Sequence, residues 1–136
     1  MASIHQEVFI AADPDTVWRA AREIDRLHDR LVPGFVARTE MLDGEGAPVR
    51  RVTFANGAVA DETIVSVDDG RRRMVWAIKA FEHHNGVLEV RDAPEGTQVV
   101  WTADLLPDSL VERVSPMMAQ GLACMKAHFE SGAGRG

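Results

Sequence analysis

Arg50 and Glu62 are the first pair of residues in this chain whose types could do chemistry together. On facing strands, a guanidinium beside a carboxylate can form a polar floor that orients a carboxylate, ketone or phenol. It can equally be an ion pair that bridges two strands. Desolvating both ions costs several kcal/mol against their mutual attraction, so burial of such a pair invites a functional explanation. His83-His84 is the second candidate. Neighbouring strand residues point to opposite faces, and the hairpin register selects His84 as the inward one. There it can move a proton in enolisation or dehydration of a ketone, or be an ordinary strand-end histidine. Trp76 and Trp101 can stack on an aromatic guest or fill a core. Cys124 has no activating neighbour in sequence and reads as an inert buried thiol. His5, His28, His83, His84 and His128 show no metal-ligand spacing. Neither a metal nor another cofactor is expected.

The elements that must position these residues follow from patterning. Residues 3–10 read as a strand with Ile4, Val8 and Ile10 on one face. Asp13 is an N-cap with Pro14 at the first helical position, where its missing N–H costs nothing. Val17, Trp18, Ala21 and Ile24 give that helix an apolar stripe, and a second helical turn is expected over 26–31. Six strands follow at 35–42, 49–54, 59–67, 74–79, 86–91 and 97–105. Gly44-Glu45-Gly46, Asn56-Gly57, Asp68-Asp69-Gly70 and Pro94-Glu95-Gly96 separate the hairpins. A long amphipathic helix closes the chain, with Met118, Leu122, Met125 and Phe129 on one stripe that Met117, Gly121 and Cys124 widen. Ser115-Pro116 predicts a kink in that helix or a fresh start. The fold class is therefore α+β: about seven antiparallel strands, strongly curved, around one C-terminal helix, with two short helices after the first strand. Residues 1–131 form one domain, and 132–136 read as a disordered Gly-rich tail.

Turn lengths assign the faces, because a one-residue slip reverses every side chain. A three-residue loop at Asp68-Asp69-Gly70, with positive φ at Gly70, sets Glu62 opposite Trp76 and Ile64 opposite Met74. At Asn56-Gly57 a two-residue loop would turn Val49, Arg51 and Thr53 inward. A three-residue loop beginning at Ala55 turns Arg50, Val52 and Phe54 inward instead, pairs Arg50 with Glu62, and gives the more apolar inner face. A four-residue loop at Ala93–Gly96 sets Leu88 opposite Trp101. The predicted ligand-binding wall is Arg50, Phe54, Ile64, Met74, Trp76, Leu88, Trp101, Met118, Leu122 and Met125, with Glu62 and His84 as catalytic candidates. An apolar concavity with a few convergent polar groups is the usual composition of a small-molecule site. The methionines suit an adaptable wall or simple core filling.

Composition bounds the function. The net charge of −6 argues against nucleic-acid or anionic-membrane partners. Arg71-Arg72-Arg73 does not reverse this, since it sits at a hairpin tip. No apolar run approaches a membrane span, the N-terminus lacks a signal-peptide pattern, and one cysteine cannot form an internal disulfide. A cytoplasmic location is expected. An uncovered sheet edge can support a homodimer.

The chain resembles the SRPBCC superfamily of helix-grip domains, which includes START lipid-transfer domains, birch-pollen-allergen-like proteins and the polyketide cyclase/dehydrase group. The residues that carry the likeness are Ile10 to Trp18, Pro48-Val49-Arg50 before Asn56-Gly57, Asp61-Glu62 through Val67-Asp68, Trp76, Val100-Trp101, Asp104 and Leu106-Pro107. It spans about residues 3–130. The resemblance implies a cavity between sheet and helix that binds a small hydrophobic or aromatic molecule, lipid or polyketide-like, as a carrier, sensor or auxiliary protein. It also leaves room for a cyclase/dehydratase-type enzyme using Glu62 or His84 as acid/base, and for a protein-interaction module with a filled core. The Rieske pattern of the superfamily's metal-bearing branch is missing from the sequence.

Overall fold

A computed structural model describes residues 2–132. Strand β1 (Ala2–Ile10) leads into helix α1 (Pro14–Arg22) and a π-helical turn (Leu27–Leu31). Strands β2 (Val36–Leu42), β3 (Val49–Phe54), β4 (Val59–Asp68), β5 (Arg73–Ile78), β6 (His83–Ala93) and β7 (Gly96–Leu106) follow. A short 3₁₀ turn (Asp108–Leu110) then leads into helix α2 (Val111–Glu130). The seven strands form one curved antiparallel sheet in the order β1-β7-β6-β5-β4-β3-β2. Each hairpin strand lies beside the next, while β1 crosses to pair with β7. The first and second strands therefore end on opposite margins, and the two short helices bridge the opening between them.

The N-terminus of α1 forms as its residues dictate. Asp13 accepts from the amides of Asp15 and Thr16, and Pro14 occupies the first turn. Its apolar stripe buries Val17, Trp18, Ala20 and Ala21. Trp18 Nε1 donates to Asp69 Oδ1 at 2.9 Å, and Arg22 closes two further hydrogen bonds on the same carboxylate. Those donors hold the Asp69 carboxyl below its ordinary pKa, Arg22 contributing most. The β4–β5 turn is thereby tied to α1. Helix α2 is continuous through Pro116, with neither a break nor a second start. It lays Met118, Gly121, Leu122, Met125 and Phe129 on the concave face.

Two turn expectations need correction. Ile64 lies opposite Trp76 and Glu62 opposite Ile78, two positions from the expected register, and a bulge at Val65 follows. The positive φ falls on Arg72 (φ 49), not Gly70. Arg72 is held there by ion pairs to Asp15 and Asp92, so one member of the arginine cluster braces the turn against α1 and β6. An even shift preserves facing, which is why Glu62, Ile64 and Trp76 remain inward. At the β6–β7 turn Ala93 pairs with Gly96, leaving only Pro94 and Glu95 outside the ladder; the register that puts Leu88 opposite Trp101 is as expected. Residues 133–136 of the expected tail lie outside the described residues.

Candidate functional site

The site begins at the Asn56-Gly57 turn. Gly57 takes φ +91, Asn56 Oδ1 accepts from the Ala58 amide, and Phe54 N–H donates to the Ala58 carbonyl at 2.8 Å. This closes a three-residue loop of Ala55, Asn56 and Gly57, and it places Arg50 opposite Glu62 and Arg51 opposite Asp61. The inner pair is buried, with side chains 3% and 9% exposed. Arg50 Nε donates to Glu62 Oε1 at 2.8 Å, and Nη1 donates to the Ile24 carbonyl just beyond α1 at 3.3 Å. The guanidinium carbon lies 5.8 Å from the Trp76 ring centroid, where the ring's negative face attracts it.

Around this pair lies a cavity of about 80 Å³. Met74, Trp76, Leu88 and Trp101 line it from β5, β6 and β7, Val52 and Phe54 from β3, and Met125 from α2. Ala21, Leu27, Leu31, Val32, Phe35 and Val36 close the remaining side from the short helices and the start of β2. Arg50 and Glu62 are the only charged groups in this wall. Trp76 and Trp101 stand tilted with centroids 6.0 Å apart, and Phe35 meets Phe54 edge-on at 5.2 Å. Phe54 and Trp101 are the two lining residues that keep partial exposure, so they mark the mouth.

Two glycines set the shape of the hollow. Gly86 lies opposite Trp76, and a Cβ there would come within 2.6 Å of the indole. The indole therefore lies across β6 instead of standing away from the sheet. Gly121 lets α2 approach closely: a Cβ would lie 2.9 Å from Phe35 and 3.0 Å from Trp101.

Of the residues singled out from sequence, Arg50, Phe54, Glu62, Met74, Trp76, Leu88, Trp101 and Met125 come together at the cavity. Ile64, Met118 and Leu122 are buried but do not line it. His84 is not brought to the cavity either. It pairs with Leu105 and packs edge-on against Phe81 at 5.4 Å, toward the end of the sheet where the start of α2 packs. Burial, and then the charge of His83, push its pKa down to about 4. Its Nδ1 is the one buried side-chain polar atom among the described residues without a hydrogen-bond partner. The neutral ring is the form this environment favours. On the outer face beside it, Ser3 and Asn85 donate to Asp104, and His83 Nε2 bonds Asn85 Oδ1. Because Asn85 gives its amide N–H to Asp104, its oxygen is left as an acceptor, so His83 carries the proton on Nε2.

The part missed from sequence is the wall of Leu27, Leu31, Val32 and Phe35. Its spacing of i, i+4, i+5 and i+8 is an apolar helical stripe that could have revealed it. A larger depression of about 480 Å³ lies between Ala11–Pro14 and the β6–β7 turn. Its rim carries the exposed carboxylates Asp13, Asp92 and Glu95, and it is a surface groove. Among the described residues no three His, Cys, Asp or Glu side chains cluster as metal ligands. No described helix is long and apolar enough to cross a membrane.

Residues 1–130 match the family described as polyketide cyclase / dehydrase and lipid transport. The chain belongs to this family. The polyketide cyclase/dehydrase family falls in the SRPBCC helix-grip superfamily, and solved structures carry the same fold. The protein XoxI from Bacillus cereus superposes with a TM-score of 0.82 at 18% identity, over 95% of this chain and 96% of that one. A Thermobifida fusca protein gives 0.74 at 24% identity, over 95% and 93%. Ara h 8.0201 gives 0.71 at 17% identity, over 96% and 98%. At these identities the likeness establishes the fold alone. Among curated proteins, none matches the sequence at a significant level. Family and fold together make this a cavity-type SRPBCC domain.

Proposed function

We propose that the protein binds a small hydrophobic or aromatic molecule in the cavity between sheet and α2, as a carrier, sensor or auxiliary protein. The observation that carries this reading is an apolar hollow whose only charged groups are one buried ion pair, Arg50–Glu62. Its volume sets the scale of the guest. Sites for drug-sized ligands occupy about 300–1,000 Å³, and about 80 Å³ lies well below that range, which supports a guest much smaller than a drug-sized molecule. A lipid or polycyclic polyketide would need α2 to move off the sheet. The acid/base alternative has less support: His84 lies away from the hollow, and Glu62 has no second proton-transfer group opposite it among the lining residues.

The test is a thermal-shift and calorimetric screen spanning single-ring aromatics, fatty acids, flavonoids and polyketides. Single-ring compounds are expected to raise Tm in the wild type and to lose that effect in Leu88→Phe, which fills the hollow. A flat response to every compound at millimolar concentration would overturn the reading.

A further inference from the structure

We infer that the guest is a small neutral molecule bearing one hydroxyl group on an apolar body no larger than a single ring, and that Arg50 and Glu62 read that hydroxyl together. This rests on the cavity being a binding site and goes on to name what it selects. Two neighbouring ion pairs join the same two strands, β3 and β4. On the outer face Arg51 and Asp61 close the whole fork, Nε to Oδ1 at 2.8 Å and Nη2 to Oδ2 at 3.0 Å. On the inner face the fork is half closed: Nε meets Oε1, Nη1 turns to the Ile24 carbonyl, and Nη2 and Oε2 take no protein partner. Both residues are more than nine-tenths buried. Yet neither open atom is sealed off, since the one sealed, unpartnered side-chain polar atom among the described residues is His84 Nδ1. The open atoms therefore border the hollow that both residues line.

That leaves Arg50 Nη2 as a donor atom and Glu62 Oε2 as an acceptor atom at the hollow, on a pair whose charges already cancel. A hydroxyl satisfies both at once, donating to Glu62 Oε2 and accepting from Arg50 Nη2. A carboxylate guest would meet the Glu62 carboxylate, and an ammonium guest would meet Arg50; each would put an uncompensated charge into an apolar chamber. A guest with no polar group would cover both open atoms without satisfying them. An apolar cavity of about 150 Å³ holds benzene, so the hollow of about 80 Å³ admits at most a single ring, and that only after the unbranched Met125 side chain swings aside.

The experiment titrates the wild-type protein with phenol, cyclohexanol, toluene, benzoate and benzylamine, read by tryptophan fluorescence and calorimetry. Phenol or cyclohexanol is expected to bind at least about tenfold more tightly than the other three, the order expected when buried polar atoms would otherwise go unpaired. Which of the two binds more tightly decides whether the body is aromatic or aliphatic. In Glu62→Gln the arginine loses its counter-charge, and preference is expected to switch to benzoate. In the double variant Arg50→Met/Glu62→Leu toluene is expected to bind at least as well as phenol, which keeps the test open should the single variant fail to fold. Toluene equal to phenol in the wild type, or benzoate or benzylamine ahead of it, would overturn the hydroxyl assignment while leaving the cavity reading intact. Failure of all five to bind would overturn the hydroxyl assignment, and the cavity reading falls with it only if the wider screen is flat as well.

Discussion

Trp76 and Gly86 face each other across β5 and β6, and the indole occupies the space where any other residue's Cβ would be. The Trp76 ring is therefore laid flat by the missing side chain opposite, and that places its face toward Arg50. Gly86→Ala should force the ring out, at an overpacking cost of about 1–3 kcal/mol. In a Trp76→Leu background the same substitution should cost much less. Urea unfolding of the four proteins in this cycle measures the coupling, and additive effects would refute the contact.

The Arg50–Glu62 pair makes a prediction with opposite signs. Removing one partner, as in Arg50→Met or Glu62→Leu, strands a buried charge and should cost about 3–5 kcal/mol. Removing both should be close to neutral, or stabilising by up to about 4 kcal/mol, because neither ion then has to be desolvated. Chemical denaturation separates the cases. A double variant as unstable as the singles would mean that the pair organises the strands in a way its polarity does not explain.

His84 titrates at about 4 in the fold against an ordinary 6.5. Between those values the unfolded chain binds more protons than the native one, so native stability rises with pH across this window and falls on acidification from about 6.5 to about 4. His84→Leu should flatten that dependence while leaving the stability difference between pH 7 and 8 unchanged. Thermal melts at half-unit pH steps test it; an unchanged acid limb would show that His84 does not titrate as its burial implies.

Gly121 sets two effects against each other. Alanine in mid-helix gains about 0.8–1.0 kcal/mol of propensity over glycine. Here its Cβ would meet two rigid rings at 2.9 and 3.0 Å, Phe35 and Trp101, both of which line the cavity. Overpacking of this kind costs about 1–3 kcal/mol, so Gly121→Ala should lower stability on balance and weaken binding of single-ring guests. A more stable variant with undiminished binding would show that the helix can retreat without cost.

Much of this was legible from residues alone, for a reason particular to hairpins. Asn56-Gly57 allows a two- or a three-residue loop, the apolarity of the inner face selects the longer one, and that register puts Arg50 opposite Glu62. A loop at Ala93–Gly96 likewise paired Leu88 with Trp101, although Ala93 and Gly96 themselves join the ladder. The same logic failed at β4–β5, where Asp68-Asp69-Gly70 suggested a three-residue loop ending on Gly70. There Arg72 bonds Asp15 and Asp92, and Trp18 and Arg22 bond Asp69, contacts to α1 and β6 that the turn residues by themselves do not announce. Ile64, Val65 and Val67 are β-branched and suit an uninterrupted strand, which hid the bulge; the one mark of it is Ser66, which such a strand would turn inward. A period of two also tells side from side but not position along the concave face. His84 illustrates that limit. The tightness of the cavity was equally hidden, since it depends on how closely Gly121 lets the helix come.

The placement of β1 and β2 at opposite margins bears on how this domain keeps to itself. The β2 margin is kinked at Ala37, where the pairing with β3 skips a residue, and it carries the Arg38–Glu40 ion pair. At the β1 margin the Phe9 carbonyl is already taken by Lys126 of α2, and Gln6 reaches Ser115. An eighth strand would find the β2 border bulged and charged, and at β1 one backbone carbonyl already bonded to α2. Backbone pairing from copy to copy would meet a bent, charged ribbon at one margin and a helix-claimed carbonyl at the other, which leaves less straight edge on which a fibre could begin.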